Sequence, residues 1–524
     1  MSKETFYIST PIYYSSGNLH IGHTYCTVAA DVMARYKRMQ GFDVMFLTGT
    51  DEHGLKVEKS AKAAGVTPQQ FVDDLLYKEG GVFSLWKLMN ISYDRFIRTT
   101  DDYHIKSIQT LFRRLYDKGD IYKSVYKGLY CTPCESFWTE SQLNGGNCPD
   151  CNRPVEHAEE EAYFFRQSKY ADKIMSLIGD YLEPSSRVNE MMNNFLKPGL
   201  EDICVTRTSF KWGIPVDFDP DHVIYVWVDA LSNYITALGY GNDKYQDFDK
   251  YWPCDVHYVG KEIVRLHSIL WQAMLLALDI PLPKKVFGHG WLLLDGDKMS
   301  KSRGNVIDPI ILAGRCGVDA LRFFLLREYT FGTDGNFTNE LLINRINSDL
   351  SNDLGNLVSR TVSMALKYFN GTLPAEQEAA SEDESLIAAA DYLYEQYKKS
   401  MDNFAYQDAL AEIFKVSSRA NKYIDETSPW TLAKDETNKP RLAAVLYNLI
   451  ETIRICTVLL TPYMPDSCVE ILRQIGADTE FSTFESVASF GGLPKTATVH
   501  KGDIIFPRLD LEKELSDLEN TERA

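Results

Sequence analysis

Strand-like and helix-like segments alternate in two separate stretches of this chain, and this alternation limits the folds that it can adopt. The segments with the apolar pattern of buried strands are residues 6–10, 44–47, 223–228, 256–259 and 286–287, and those with helical periodicity include 21–39 and 262–278. Such alternation is typical of a parallel sheet covered by helices on both faces. We therefore expect an α/β fold with a doubly wound, Rossmann-type domain, whose ligands bind at the carboxyl ends of the strands.

The length of 524 residues predicts about three domains. After about residue 319 the strand signal fades, and from 340 to 478 the apolar residues recur with helical spacing, which indicates an all-α helical bundle. The predicted division is 1–118 and 218–318 for the two halves of the α/β domain, 119–217 for an insertion between them, 319–355 for a linking region and 356–524 for the helical bundle.

Composition is that of an ordinary globular protein, with 44% hydrophobic and 24% charged residues. The net charge of −18 argues against a protein that coats nucleic acids non-specifically, although local patches can still bind a specific RNA. The first residues lack the basic and apolar regions of a secretion signal, and the apolar segment 269–278 is too short to span a bilayer. We expect a cytoplasmic protein with no membrane partner.

Residues 20–23, His-Ile-Gly-His, lie where the first predicted strand leads into the first predicted helix. Gly22 has no side chain, so a nucleotide can approach the backbone closely. His20 and His23 lie near the helix N-terminus, which favours phosphate, and their imidazoles can donate to the oxygens of a reacting phosphate group. A capped helix with two incidental histidines is the alternative.

A second short segment, residues 298–305, carries three cations and a glycine just after a late strand. Lys298 and Lys301 are compact, mobile charges that suit pyrophosphate, and a loop that closes can supply them when the transition state forms. A solvated basic turn is the alternative. The presence of one such motif in each half of a doubly wound sheet argues against coincidence and predicts an ATP-using enzyme.

Four of the ten cysteines form two Cys-x-x-Cys pairs, Cys131 with Cys134 and Cys148 with Cys151. Two such turns present four thiolates to one tetrahedral zinc ion. With no open position left, that zinc would be structural, one per chain. A redox dithiol is the alternative, but it would not need a second pair. The other six cysteines are scattered singly, and we expect them to be reduced and buried.

The two short motifs are the signature pair of class I aminoacyl-tRNA synthetases, and the chain resembles the methionyl-tRNA synthetase family over almost its whole length. Residues 10–14, 46–54 and 225–230 carry the resemblance as well. It implies that ATP, Mg²⁺ and L-methionine form methionyl-adenylate, and that the methionyl group then passes to the 3′ end of tRNA(Met), including the initiator tRNA. The short, Cys-rich insertion favours this family over the synthetases for Ile, Val and Leu, which usually carry a larger, hydrolytic insertion as a second sieve.

The resemblance also implies roles for individual residues. Asp51 resembles the carboxylate that pairs with the α-ammonium group of methionine. The residues that resemble the walls of the methionine pocket are Ile12, Tyr14, Trp227, Ala230, Leu231, Tyr234, Ile263 and His267. Those that resemble the ATP contacts are His20, Gly22, His23, Gly260, Glu262, Gly290, Lys298 and Lys301, of which both histidines and both lysines are the expected catalytic residues. An aromatic, uncharged pocket suits a thioether, but simple core packing is the alternative for Trp227 and Tyr234.

The helical bundle resembles the anticodon-binding domain of the family, and the linking region resembles the part that contacts the tRNA stem. Asn356, Arg360 and Trp430 match positions that bind the CAU anticodon. An exposed ring at Trp430 could stack on a splayed base, and Asn356 and Arg360, four residues apart, would share one helix face. The alternatives are a core position for Trp430 and a surface salt bridge for Arg360. We expect a monomer.

Two other functions stay open at this point. A nucleotidyltransferase of cofactor synthesis can share the His-x-Gly-His motif, but such enzymes are short single domains. A catalytically silent, synthetase-like RNA-binding protein would not need His20, His23, Asp51, Lys298 and Lys301 intact. Methionine-dependent exchange of pyrophosphate into ATP separates the three functions.

Overall fold

The computed structural model describes residues 3–134, 136–138, 140, 143–149, 151–208, 210–294, 296–299, 306–477 and 480–523. The chain divides into two compact units, one formed by residues 1–30, 42–87 and 91–290 and the other by 31–41, 88–90 and 291–524. The strands are β1 (Thr5–Tyr14), β2 (Asp43–Asp51), β3 (Arg95–Arg98), β4 (Ile121–Cys131), β5 (Ser136–Trp138), β6 (Glu156–Phe165), β7 (Leu182–Glu183), β8 (Ile203–Cys204), β9 (Thr206–Arg207), β10 (Pro215–Val216), β11 (Asp219–Ile224), β12 (Val256–Gly260), β13 (Val286–His289), β14 (Leu292–Leu294), β15 (Asp297–Lys298) and β16 (Gly335–Phe337). The α-helices are α1 (Ile21–Met39), α2 (Leu55–Ala64), α3 (Pro68–Tyr77), α4 (Val82–Leu88), α5 (Asp102–Asp117), α6 (Ala171–Tyr181), α7 (Ser185–Met191), α8 (Val226–Thr236), α9 (Phe248–Tyr251), α10 (Trp271–Ala277), α11 (Pro309–Cys316), α12 (Val318–Glu328), α13 (Asn339–Arg345), α14 (Asn356–Phe369), α15 (Glu384–Asp402), α16 (Tyr406–Thr427), α17 (Pro429–Leu432), α18 (Lys439–Leu460), α19 (Pro465–Gln474) and α20 (Leu511–Arg523).

A six-stranded parallel sheet forms the centre of the first unit, in the order β3-β2-β1-β12-β13-β7. Residues 6–11 of β1 are continuously buried, and so is every residue of β12, which is the pattern of parallel strands covered on both faces. The chain leaves β1 towards β2 on one side and returns much later as β12 on the other. This reversal at the β1–β12 boundary is the switch point of a doubly wound sheet, so the predicted fold class is confirmed.

The strand predicted at residues 223–228 is wrong in its extent and in its partners. β11 ends at Ile224, and α8 begins at Val226. β11 pairs antiparallel with β9 and β10 in a separate three-stranded sheet. A short apolar run does not by itself distinguish a buried strand from the buried start of a helix, and here it contains both.

The insertion carries its own antiparallel sheet, in the order β5-β4-β6-β8. β4 and β6 pair continuously, from Ile121 opposite Phe165 to Tyr130 opposite Glu156. Cys131 is the last residue of β4, and the other three clustered cysteines lie in the segment that connects β4 to β6, so the ladder fixes where this segment begins and ends.

The second unit is mainly helical, as predicted, and α15, α16 and α18 pack on one another. In the described part of the chain one helical segment, Glu436–Leu460, has the length and the apolar composition of a membrane span, with a mean hydropathy of 1.6. Its apolar window is completely buried inside the structure, as in the core helix of a helical bundle.

A buried arginine joins several segments of the second unit. The Arg322 guanidinium, 0% exposed, donates to the Asp31 carboxylate at 2.6 Å and to the backbone carbonyls of Met89, Pro462 and Tyr463 at 2.9 Å each. A buried charge needs this many partners, because removing it from water is costly.

Candidate active site

Four of the ligand-binding residues predicted in the first unit lie at or directly after the carboxyl ends of neighbouring parallel strands, namely Tyr14, Asp51, Gly260 and Gly290. Tyr14 and Asp51 are register partners in β1 and β2, and Asp51 is only 5% exposed. β12 ends at Gly260, and Gly290 follows β13 directly. The fold therefore brings residues from distant parts of the sequence to one edge of the sheet, on both sides of its switch point.

The two histidines of the first motif lie at the start of α1, where their ring protons can be assigned from the hydrogen bonds. The backbone N–H of His20 donates to Nδ1 of His23 at 3.0 Å, and that of Gly22 donates to Nδ1 of His20 at 3.1 Å. An Nδ1 atom that accepts a bond carries no proton, so the proton of each ring lies on Nε2. Both imidazoles are therefore N–H donors of the kind that stabilises phosphate oxygens.

Neighbouring residues hold these histidines in place. A methyl group at Gly22 would lie 3.0 Å from Cε1 of His20, so the glycine makes room for this ring. Tyr13 contacts the His23 ring edge-on, with centroids 5.2 Å apart, and its hydroxyl lies 2.5 Å from Oγ1 of Thr27, which donates to the His23 carbonyl. Sequence reasoning assigned no role to Tyr13 or Thr27.

The predicted methionine pocket lies between the end of β1, α8 and the helical segment after β12. Five of its predicted wall residues belong to one hydrophobic cluster, namely Ile12, Trp227, Leu231, Tyr234 and Ile263. Ala230 shares α8 and is 5% exposed, whereas Tyr14 lies opposite Asp51 and is partly exposed. The helix predicted at 262–278 is not a regular α-helix, because Leu266–Leu270 forms a π-helical turn, which contains His267. Such turns are frequent at functional sites.

Tyr234 and His267 form a buried, uncharged pair. Nδ1 of His267 lies 2.9 Å from the carbonyl of Ile263 and must donate to it, so Nε2 accepts the Tyr234 hydroxyl at 2.7 Å. Burial lowers the pKa of His267 to about 4 and raises the pKa of Tyr234 well above 10. This neutral lining fits an apolar side chain.

His257 lies against this pair and was not identified from the sequence. Its ring centroid is 4.1 Å from that of Tyr234, its Nδ1 is 2.7 Å from the Ser9 hydroxyl, and its Nε2 accepts a bond from the Trp271 indole at 3.4 Å. Burial lowers the pKa of His257 well below 6.5. The residue lies in an apolar strand with no motif around it, so no sequence signal marked it.

The predicted adenosine contacts of the first unit follow β12 and β13. A methyl group at Gly260 would clash with Oε2 of Glu262, so the Glu262 carboxylate folds back over this glycine. His289, just before Gly290, donates from Nδ1 to the Gly290 carbonyl at 2.7 Å and meets the ring of Tyr25 edge-on. Burial lowers the pKa of His289, so this edge of the site carries an imidazole without charge.

Lys298 belongs to the second unit and lies in β15. Its Nζ is 4.1 Å from the centroid of the Trp291 ring, a cation–π contact. Met299 beside it is 4% exposed. Lys301 and its neighbours from 300 to 305 lie outside the described residues.

The four clustered cysteines form a candidate metal centre. All four sulfur atoms lie within 4.8 Å of one another, with 3.5 Å between those of Cys131 and Cys151 and 3.7 Å between those of Cys134 and Cys148. A tetrahedral zinc with Zn–S bonds of about 2.3 Å holds its sulfurs about 3.8 Å apart. The cluster therefore has the dimensions of a four-thiolate metal site. Of the other six cysteines, only Cys316 is not fully buried.

The three predicted anticodon contacts lie in the second unit. Trp430 in α17 is 44% exposed, so the core alternative is wrong for this residue. Asn356 is exposed at the start of α14, one turn before Arg360. Arg360 forms an ion pair with Asp425 of α16 at 3.2 Å, so the predicted alternative of a surface salt bridge is present.

Comparisons with known proteins agree with this organisation. A family profile described as "tRNA synthetases class I (M)" matches residues 6–160 and 152–362, and one described as "Anticodon binding domain of methionyl tRNA ligase" matches residues 373–520. A methionine–tRNA ligase of Clostridium perfringens is 57% identical over 522 residues, which cover 99% of this chain and 80% of that protein. One from Caldanaerobacter subterraneus is 58% identical over 520 residues, covering 99% and 81%.

Solved structures show the same likeness in three dimensions. The methionyl-tRNA synthetase of Mycobacterium tuberculosis in complex with methionyl-adenylate superimposes with a TM-score of 0.90 at 41% identity, covering 96% of this chain and 100% of that one. Its apo form gives a TM-score of 0.83 at 37% identity. The chain is therefore an enzyme that belongs to the methionyl-tRNA synthetase family of class I aminoacyl-tRNA synthetases.

Proposed function

We propose that this enzyme activates L-methionine with ATP to methionyl-adenylate and pyrophosphate, and then transfers the methionyl group to the 3′ end of tRNA(Met), including the initiator tRNA. The observation that carries the proposal is the set of side chains at the carboxyl edge of the parallel sheet. There a buried acid, Asp51, lies in register with Tyr14, while the predicted wall residues on the π-helical turn and on α8 are uncharged. An amino acid with an apolar side chain needs these two features together.

Methionine recognition follows from this chemistry. The carboxylate of Asp51 accepts from the α-ammonium group, and the predicted wall residues surround the thioether chain. The Tyr234–His267 pair is neutral, so it offers no competing charge to the ammonium group. Sulfur makes favourable contacts with aromatic ring edges, which Tyr14, Trp227 and Tyr234 can supply.

ATP binding uses the adjoining strand ends. The N–H groups on Nε2 of His20 and His23 donate to phosphate oxygens, Gly22 admits the nucleotide, and Gly260, Glu262 and Gly290 contact adenosine. Lys298 and Lys301 clamp the pyrophosphate during the displacement, a step that depends on positioned donors and positive charge. Mg²⁺ bound together with ATP would neutralise part of the phosphate charge.

Zinc is the metal that fits the cysteine cluster best. Cys131, Cys134, Cys148 and Cys151 offer four soft sulfur ligands at the spacing of a tetrahedral site, which leaves no position for a reactant. One structural zinc per chain would stabilise the turn segment between β4 and β6.

The helical part recognises the tRNA. Trp430 stacks on an anticodon base, and Asn356 and Arg360 donate to neighbouring bases or phosphates. In this proposal, residues 1–118 and 218–318 form the catalytic domain, 119–217 its zinc-bearing insertion, 319–355 the stem contact and 356–524 the anticodon-binding domain. The enzyme acts as a cytoplasmic monomer.

The test is methionine-dependent exchange of labelled pyrophosphate into ATP, followed by charging of tRNA(Met). We expect Asp51→Asn to raise the KM for methionine at least about 10-fold, because it removes the counter-charge of the ammonium group. Lys301→Ala should slow the exchange while methionine binding measured by calorimetry stays unchanged. Absence of exchange in the parent enzyme, or an unchanged KM in Asp51→Asn, would refute the proposed site.

A further inference from the structure

A buried carboxylate outside the predicted ligand contacts joins two histidines in the first unit. Asp229 is 0% exposed, and its two oxygens lie 2.6 Å from Nδ1 of His53 and 2.7 Å from Nε2 of His104. His53 is 4% exposed and His104 is 0% exposed. Three ionisable groups therefore share one dry site, an arrangement that is costly to bury unless every bond is made.

The hydrogen-bond pattern fixes how these groups are protonated. A carboxylate only accepts, so His53 carries a proton on Nδ1 and His104 carries one on Nε2. Nδ1 of His104 lies 2.7 Å from the Thr236 hydroxyl, which can donate to it. Burial alone would raise the pKa of Asp229, but the two histidines lower it below its ordinary value. Asp229 thus stays ionised.

The position of Asp229 connects the parts of the proposed methionine site. It lies in the first turn of α8, between Trp227 and Ala230. Trp227 and Tyr234 are seven residues apart and share one face of this helix, whereas Asp229 lies on a different face. His53 follows Asp51 by two residues at the end of β2, and its ring packs edge-on against Trp212 at 5.4 Å. The hydrogen bond between Asp229 and His53 therefore connects α8, which carries part of the proposed pocket wall, to the segment that carries Asp51.

We propose that Asp229, held by His53 and His104, is a positioning residue that sets the spacing between Asp51 and the pocket wall on α8. A free amino acid must place its ammonium group and its side chain at once, so a change in this spacing weakens both contacts together. The inference rests on the proposed methionine site, and it assigns a role to three buried residues that touch neither ATP nor methionine in that proposal.

The test compares two substitutions of His53. In His53→Asn the side-chain amide can take the place of Nδ1–H and still donate to Asp229, whereas His53→Ala leaves that oxygen of Asp229 without its donor. We expect His53→Ala to raise the KM for methionine about 10-fold or more in pyrophosphate exchange, with the KM for ATP changed less than about 2-fold. His53→Asn should recover most of the methionine affinity.

Asp120→Asn is the matched control, because Asp120 is also 0% exposed but accepts from Lys169 and Tyr170 in the insertion. It should leave the KM for methionine unchanged.

If His53→Ala does not fold, Asp229→Asn, which keeps the side-chain shape, is measured in the same way. An unchanged KM for methionine in the folded variant, or an equal rise in both KM values, would overturn the inference. If the KM for methionine rose in Asp51→Asn but not in the His53 or Asp229 variants, the inference would be overturned and the proposed methionine site would stand.

Discussion

The Tyr234 hydroxyl lies 2.7 Å from Nε2 of His267, and both side chains are buried. Because Nδ1 of His267 donates to the Ile263 carbonyl, the hydroxyl proton has only one direction to point, towards His267. The pair therefore orients the polar atoms of an otherwise apolar wall, and its removal has consequences that can be measured.

Tyr234→Phe should destabilise the first unit by about 1–3 kcal/mol, because Nε2 of His267 stays buried without a donor. The KM for methionine should also rise, since the imidazole loses its orientation. Urea unfolding and pyrophosphate exchange check the two effects. Tyr163→Phe is the control. Tyr163 is 4% exposed and donates to Asp219 at 2.9 Å, away from the proposed pocket, so only stability should fall. An equal effect of both variants on the KM would contradict the prediction.

Acid should destabilise the first unit through His267. Its pKa is lowered from 6.5 to about 4 in the folded protein, so between these values the unfolded chain binds a proton that the folded chain does not. Stability is therefore lost as the pH falls through this window, by about 1.6 kcal/mol from pH 6.5 to 5 for this one group. His257 acts with the same sign.

His267→Gln should make unfolding less dependent on pH in this range. The measurement is the urea midpoint of the parent and the variant at pH 7, 6 and 5. If the urea midpoint changed with pH equally in the parent and in the variant, His267 would not titrate as the structure indicates.

Elemental analysis should find about one zinc per chain, as four thiolates predict. Cys148→Ser should lose most of this zinc, because an alcohol is a poor zinc ligand. Cys468→Ser should keep it, because Cys468 is buried in α19 and lies outside the cluster. Full zinc retention in Cys148→Ser would argue for a different metal site.

Trp430→Ala should lower the rate of tRNA charging at limiting tRNA about 10-fold, the range expected when one stacked base loses its aromatic partner. Methionine-dependent exchange should not change, because the proposed role of Trp430, which is 44% exposed in the second unit, is to contact the anticodon. Trp430→Phe keeps a ring and should retain most of the charging. If exchange fell together with charging, Trp430 would be needed for folding.

Arg322→Met should destabilise the second unit by about 3 kcal/mol or more, because it leaves three carbonyls without their donor and removes one of the two arginines that pair with the buried Asp31, the other being Arg35. Arg473→Met is the control. Arg473 pairs with Glu470 at 2.6 Å but is 42% exposed, so its loss should cost less than about 1 kcal/mol. Similar denaturation midpoints for the two variants would contradict the prediction.

Apolar periodicity predicted the long elements well. The helix predicted at 21–39 coincides with α1, and the region of helical spacing predicted from 340 to 478 contains α14 to α19. It failed at 223–228, where a strand passes within two residues into a helix, and at 262–278, where a π-helical turn changes the hydrogen bonding without changing the apolar pattern. Both failures lie at the walls of the candidate site, where local propensity and tertiary packing differ.

The site itself was predictable only where a motif marked it. Asp229 stands inside the stretch 225–230 that carries the family resemblance, but its partner His53 is 176 positions away. Ring protons such as those of His20 and His23 depend on backbone geometry, which a sequence does not display. Long-range pairs and tautomers therefore needed the structure.

The pairing of Ile8 in β1 with Val256 in β12 has a consequence during protein synthesis. A ribosome that adds about 5–20 residues per second needs roughly 12 to 50 seconds to reach β12 after β1 has been made. Until then one edge of β1 has no partner strand, and open edges recruit other chains. We therefore expect a fragment that ends between β1 and β12 to expose this edge of β1 and to aggregate more readily than the whole chain.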